Sequence, residues 1–379
     1  MNPKNLFLSR CISSLTLISC AASLISQTTQ DHTLVLDKIS VTTKREHRTS
    51  TGATNLALTI KETPQSISLI DQDAMRDFAT TSTNDALRLG TGLTVDAWET
   101  NRTSYSARGF DIMLTQVDGL GMTNDWGLVV GQEDTTLFDR IELIRGANGL
   151  LTGVGNASGT INYVRKRPTN HDGGEFVVRG GSHDLGRAAL DYNKVLTASG
   201  AWAARLVVAH EDKDSYLRAL HDRRTTLYGV IEGQVGSAGA LTAGFTFTDS
   251  LQRSPMWGSL TLRRADGSQA EFDASASTSQ DWTQWELRSA NAFIEYAHTL
   301  SPDWEAKLTY NHRTGDEAVK LFYAYSLTGS LNADGTGLYG WPYRSDSKSR
   351  INIVAASLNG HYNVLGRRHD AIVGFSLSK

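Results

Sequence analysis

The chain has 379 residues, and its 37 Lys+Arg nearly cancel its 40 Asp+Glu to leave a formal charge of −3. That balance supplies no global field of the kind a nucleic-acid-binding protein uses. Hydrophobic residues make up 40% of the chain, and beyond the N-terminus no apolar run approaches the ~20 residues of a spanning helix, so any bilayer crossing has to be made as a barrel.

Residues 1–26 read as an export signal peptide. Lys4 and Arg10 form a basic start, and Cys11 to Ile25 form a mildly apolar, serine-rich stretch with Ala21, Ala22 and Ser23 near its end. A short buried helix is the alternative. Both cysteines, Cys11 and Cys20, lie inside this segment, so the mature chain would carry no disulfide. Leu17-Ile18-Ser19-Cys20 also resembles a lipoprotein processing box, with Cys20 acylated in that minor reading. Residues 27–55 are polar and Thr-rich, and an extended or mobile segment is expected. Within it, Asp37-Lys38-Ile39-Ser40-Val41-Thr42 alternates and is partly β-branched. Such a stretch can add itself as a strand to a partner's sheet edge, although an ordinary loop fits the same residues.

Residues 56–168 change to a compact α/β texture. Gln65–Ile70 reads as a strand, Asp73 as the N-cap of a first helix, and Thr83 or Asn84 as the N-cap of a second around Ala86–Leu89. Strands are predicted over Tyr105–Arg108, Thr115–Val117, Arg140–Ile144 and Thr160–Val164. Gly153-Val154-Gly155 with Gly159 superficially matches a dinucleotide fingerprint. A strand rather than a long helix follows, and no matching acid is evident, so nucleotide binding is set aside.

Residues 169–379 break into segments of alternating apolar and polar side chains. They include Ala201–His210, Thr226–Val235, Leu241–Thr248, Ala292–His298, Glu305–Asn311, Ala318–Tyr325, Ile351–Gly360 and Asp370–Leu377. The turn at Ser237 is short, whereas the stretch from Ser250 to Ser289 is long, polar and Trp-bearing. Short turns at one end and long loops at the other mark an outer-membrane barrel; a soluble sandwich would give more even connections.

Several runs carry a family resemblance: Glu62–Ile67, Tyr105-Ser106-Ala107-Arg108-Gly109-Phe110, Val117-Asp118-Gly119, Asp139–Gly146, Leu150–Asn156 and Gly159–Pro168. In this order and spacing they resemble the plug domain of TonB-dependent outer-membrane receptors, and within that family the receptors for ferric coprogen, rhodotorulate and pyoverdine. The resemblance implies a mostly β protein, with an α/β plug inside an antiparallel outer-membrane β-barrel. The complete family barrel has 22 strands, of which residues 169–379 would supply about ten. It implies that Asp37, Lys38, Ile39, Ser40, Val41 and Thr42 are the TonB box. The partners would then be TonB with its inner-membrane energising complex, a ferric siderophore of hydroxamate type, and outer-membrane lipid. No cofactor, bound metal, nucleic acid or catalysed reaction is expected. The short segment ahead of the box leaves no room for an extra signalling domain, so transport without transcriptional signalling is expected. Arg145, Arg165 and Arg167 look like the plug arginines that pair with barrel acids as a latch.

A bulky ferric chelate would be held by aromatic faces and a few cationic groups. The candidates are Trp98, Arg102, Tyr105 and Trp126 in the plug and Trp257, Tyr323 and Tyr325 in the barrel, with Trp282 and Trp285 nearby. Barrel aromatics also form lipid-interface girdles, which is the competing reading for each of them. The histidines His183, His210, His221, His298 and His312 show no metal-ligand spacing. Haem and cobalamin stand as alternative ligands, and a truncated, non-transporting product as the alternative to an importer. About ten strands cannot enclose a folded plug, so residues 1–379 alone are expected not to transport.

Overall fold

The structure is a computed structural model of the chain and describes residues 49–50, 52–54, 58–60, 62–123, 128–147 and 157–379. The export signal, the Asp37–Thr42 segment and Trp126 lie outside the described residues.

The N-terminal α/β domain opens with a small antiparallel pair, β1 (Thr49–Ser50) and β2 (Leu58–Thr59). β3 (Ser66–Asp71) then runs into α1 (Gln72–Asp77). Its N-cap is Asp71, whose extended backbone lets the carboxylate accept the Ala74 N–H at 2.9 Å. Asp73, the expected cap, sits instead in the first turn, where its charge still favours the helix N-terminus. α2 (Thr83–Leu87) is likewise capped one residue earlier than expected, by Ser82, whose Oγ accepts the Asp85 N–H at 3.2 Å. Seven further strands follow: β4 (Thr94–Ala97), β5 (Arg102–Ala107), β6 (Phe110–Asp111), β7 (Leu114–Val117), β8 (Leu120–Thr123), β9 (Leu128–Val130) and β10 (Phe138–Arg145). β11 (Gly159–Arg165) closes the domain. The main sheet has the order β3-β10-β11-β7-β8, antiparallel except between β11 and β7; β4, β6 and β9 gather around β5 in a second sheet.

The central strand β10 is buried on both faces, and the two faces differ. Ile141 and Leu143 point into a core with Ile70, Met75, Leu87, Tyr105 and Ile161, each large side chain contributing about 1.5–3 kcal/mol by leaving water. Arg140 and Glu142 point the other way, beside Asn162 of β11. A polar face so deeply covered requires partners on every atom.

Nine strands form the large sheet among the described residues, each antiparallel to the one before: β12 (Gly173–Gly180), β13 (Gly186–Val195), β14 (Trp202–Asp214), β15 (His221–Val235), β16 (Gly239–Arg253), β17 (Gln284–Ser301), β18 (Trp304–Tyr325), β19 (Tyr339–Val364) and β20 (Arg367–Ser378). At one end the links are short, as at 236–238, 302–303 and 365–366. At the other lie the long links 254–283 and 326–338. Outward positions carry an exposed apolar band that includes Leu206, Phe245, Ile294, Leu308 and Val354. Their chain neighbours Arg205, Glu295 and Thr309 turn to the domain side, the apolar-out, polar-in alternation of a membrane barrel wall. Trp202 and Trp304 begin β14 and β18 on the outward face at the short-turn end. Their rings cover the paired glycines Gly233 and Gly360, at the level of an interfacial girdle.

The strands run longer than the ten-residue segments read from the sequence. β18 joins the two segments Glu305–Asn311 and Ala318–Tyr325 into 22 residues, and β19 has 26. At 3.3 Å per residue these reach about 70–85 Å, far beyond a bilayer crossing. Past the apolar band both faces meet water, so alternation fades. His312 to Glu317 looks turn-like in sequence yet pairs without a break with β19.

Candidate functional site

The residues after β11 leave the α/β domain as Arg165-Lys166-Arg167, and each meets an acid. Arg165 donates from Nε to Asp118 Oδ2 at 2.7 Å and from its backbone N–H to Oδ1 at 2.9 Å. A further guanidinium N–H reaches Asn291 of β17 at 3.0 Å, and the group lies 3.6 Å above the Phe293 ring. Arg167 bridges the two bodies. It contacts Asp118 at 3.3 Å on the domain side and Glu295 in a close ion pair on the wall, with Glu232 at 3.9 Å. Lys307 also pairs with Glu295. Lys166 donates to Asp191 at 2.7 Å, a carboxylate shared with Arg205. Arg187, four residues before Asp191 on β13, donates to both oxygens of Asp134 at 2.7 and 2.8 Å, and it continues to Glu211 of β14.

These groups are almost wholly buried, so charge is set by pairing. Burial pushes the Asp118 carboxyl up, but Arg165 and Arg167 outweigh it and hold the group below the usual carboxylate range. Asp134 behaves likewise: burial opposes ionisation, and the Arg187 hydrogen bond and Arg224 overcome it. Burial lowers Lys166 despite Asp191 beside it. Apolar contacts share the interface, with Leu137 and Phe138 packed on Val207, Tyr228, Val230 and Phe293.

Arg145 departs from the latch expectation. Its guanidinium donates to Ser68 Oγ at 2.7 Å, to Ser66 Oγ at 3.3 Å and to the Thr91 carbonyl, all within the α/β domain. It ends β10 opposite Ser66 of β3. Partial burial and the nearby Arg108 lower its pKa. It fastens β3 and the loop after α2, and among the described residues it pairs with no wall acid.

An aromatic cluster stands at the long-loop end. Trp257 packs on Tyr323, Trp341 and Tyr343 at ring separations of 5.3, 5.7 and 5.2 Å. Tyr323 stacks on Tyr325, and Tyr325 packs on Tyr339. Gly258, at φ +87, lets the loop lie on Tyr323, because a Cβ there would come within 2.3 Å of the ring. These rings share the face of Trp285, Val319 and Leu321, and Arg102 of the α/β domain lies 5.9 Å from the Trp285 ring. Tyr323 and Tyr325 therefore face inward, above the domain, rather than out to a girdle.

The α/β-domain candidates separate. Trp98 is exposed, with its indole N–H on Ser104 Oγ at 3.2 Å. Arg102 is clamped by Glu99 beneath the cluster. Tyr105 corrects the expectation: it is fully buried, its hydroxyl donates to Asn84 at 2.5 Å, and burial raises its pKa. It has no surface to offer a ligand, because β5 is sandwiched between β4 and its neighbours and turns this ring into the core.

The family model described as "TonB-dependent Receptor Plug Domain" matches residues 59–160. The ferripyoverdine receptor of Pseudomonas aeruginosa is 32% identical over 332 residues, covering 86% of this chain and 40% of that receptor. A ferric-pyoverdine receptor of Pseudomonas putida, BN7/BN8, is 29% identical over 332 residues, covering 87% and 40%. The solved ferripyoverdine receptor of the Pseudomonas aeruginosa outer membrane, bound to ferripyoverdine, matches with a TM-score of 0.81 at 30% identity, over 88% of this chain and 45% of that one. The chain belongs to the TonB-dependent receptors. It spans about 40% of the length of the curated relatives it matches.

In the terms of that family, the α/β domain is the plug and the nine-stranded sheet is barrel wall. The sequence reading missed the wall partners Glu295, Glu232, Arg187 and Glu211, and the aromatics Trp341 and Tyr343. Glu295 was legible in principle, since it shares a face with Phe293 and alternates with Ile294 inside the predicted Ala292–His298 strand. Nothing in the polar run 339–350 marked its rings as inward. Among the described residues no group of three or more His, Cys, Asp or Glu is arranged to hold a metal ion.

Proposed function

We propose that this chain forms the plug and the adjoining wall of an outer-membrane receptor that imports ferric siderophores of hydroxamate type, energised through TonB. The observation that carries the reading is the inward aromatic cluster of Trp257, Tyr323, Trp341 and Tyr343, packed beside Trp285, whose ring Arg102 of the plug approaches. Aromatic faces beside a cation suit a flat, polar-edged metal chelate. The names of the similar receptors, which bind ferripyoverdine, support a ferric siderophore as the ligand. In this reading Asp37–Thr42 is the TonB box, and TonB pairs with it as an added strand. Arg165 and Arg167 are latch elements that yield when the plug is pulled. Residues 1–26 direct export, 27–55 carry the box, 56–168 form the plug and 169–379 the wall, and the chain catalyses no covalent chemistry.

Titration of the receptor carrying these residues with a panel of ferric siderophores, read by quenching of Trp fluorescence, tests the reading. A ferric hydroxamate should bind, and Trp257→Ala should weaken it at least about tenfold, the loss typical of a central aromatic anchor. Saturable binding of haem or cobalamin, with no ferric siderophore bound, would overturn it.

A further inference from the structure

Two buried polar clusters in the plug meet at one residue. The first gathers on Glu142, which is fully buried. Arg140 holds its Oε1 at 3.0 Å, while Oε2 accepts Ser50 Oγ at 2.7 Å, Asn162 Nδ2 at 2.9 Å and the Gly52 N–H at 3.4 Å. Ser50, Gly52 and Ala53 are themselves buried, so the chain just after the Asp37–Thr42 segment is pressed into the plug sheet. Gly52 admits that approach, because a Cβ there would come within 2.6 Å of Asn162 Nδ2. The second cluster is the latch of Asp118, Arg165, Arg167 and Glu295. Asn162 joins the two. Its Nδ2 donates to Glu142, and its Oδ1 accepts the Gly119 N–H at 3.0 Å, next to Asp118. Asn162 is wholly buried and lies opposite Glu142 in the β10–β11 register.

We propose that Ser50 is a release catch and Asn162 the joint that carries its release to the plug–barrel latch. While Ser50 and Gly52 are seated, Glu142 is fully partnered and fixes the Asn162 amide in the one orientation that also holds Gly119. Withdrawal of Ser50 and Gly52 removes two donors from a buried carboxylate. Glu142 then keeps the bonds from Arg140 and from Asn162, and a shift of the Asn162 amide to compensate for the lost donors moves its oxygen off Gly119. The loop bearing Asp118 loosens, and with it the carboxylate that Arg165 and Arg167 share with the wall. Coupling of this kind is reciprocal, so loosening the latch also loosens the seat of Ser50. The mechanism deepens the import reading by naming how the N-terminal segment reaches the latch, but its test needs neither ligand nor TonB.

Amide hydrogen exchange on the receptor carrying these residues reads it. The Gly119 and Arg165 N–H groups donate to Asn162 and Asp118, so they report the joint and the latch. Ser50→Ala should speed exchange at both about five- to tenfold, the loss of one hydrogen bond to a buried charge. In an Asn162→Ala background, Ser50→Ala should add no further change at Arg165, the non-additivity expected of a shared path. Faster exchange confined to residues 50–54 in Ser50→Ala overturns the proposal, as does full additivity in the double variant. If Asn162→Ala fails to fold, the response of Gly119 and Arg165 to Ser50→Ala alone decides. Siderophore binding that survives a negative exchange result separates this failure from failure of the import reading.

Discussion

Arg167 has to satisfy two carboxylates at once, Asp118 of the plug and Glu295 of the wall, in a place that water hardly reaches. Its removal leaves both acids facing one another across a dry interface, with Arg165 and Lys307 as remaining counter-charges. Loss of one member of a buried network typically costs about 3–5 kcal/mol. Arg167→Ala is therefore expected to destabilise the folded receptor by that order, read by denaturant unfolding in detergent. Arg145→Ala, which breaks only bonds to neutral oxygens at a partly open edge, should cost about 1 kcal/mol. Equal costs for the two would remove the distinction drawn between them. Tyr105→Phe tests the other correction. It strips the hydroxyl that Asn84 accepts, and should lower stability by about 1–2 kcal/mol while leaving siderophore affinity unchanged. A drop in affinity with stability intact would return Tyr105 to the ligand site.

At the scale of elements, the wall is defined by which face of each strand meets lipid. Ile294 and Glu295 are neighbours in β17, yet one is exposed in the apolar band and the other is buried against Arg167. Ile294→Arg should cost about 2–4 kcal/mol when the barrel is folded into bilayers, the penalty for a cation near the midplane. The same change at Leu327, exposed in the link between β18 and β19, should be nearly neutral. Matching penalties at the two sites would show that Ile294 does not face lipid. The same strands explain what the sequence could and could not reveal. Alternation was legible from Ala292 to His298 because one face is apolar there and the other paired with charge. It vanished from His312 to Glu317 and along 339–350, where both faces are wet, so two predicted segments hid one continuous strand. The plug strands β3, β7, β10 and β11 were legible because their motifs mix turn glycines with apolar runs. Tyr105 was misplaced because its motif carries no sign of which face of β5 is inward. The caps shifted by one or two residues because Asp71, Asp73, Ser82 and Thr83 are all competent capping types, and only backbone direction selects among them. Trp257, Tyr323 and Tyr325 were legible as aromatics, but lumen and girdle are two faces of one period-two pattern.

For the molecule as a whole, the described part of the wall holds the plug through buried ion pairs beside the apolar contacts of Leu137 and Phe138, and charge makes that hold sensitive to acid. Asp118 and Asp134 both tie the plug to the wall, and both are held below the ordinary value of 3.8 by arginines that outweigh the effect of burial. A carboxyl with a depressed folded pKa contributes stability that is fully present above its unfolded value and is lost as pH falls through the folded one. Docking of the plug should therefore be nearly independent of pH from about 5 to 8 and should weaken progressively below about pH 4. Protease cleavage within the plug, measured after brief incubation across this range, gives the profile. Asp118→Asn should cleave faster than the parent at neutral pH and show a shallower acid response, because one of the two titrating anchors has been replaced by a group that cannot ionise. A midpoint between about pH 6 and 7 would instead assign the transition to histidine, whose ordinary range lies there. In that case the Asp118–Arg165–Arg167–Glu295 cluster would not be what holds the plug.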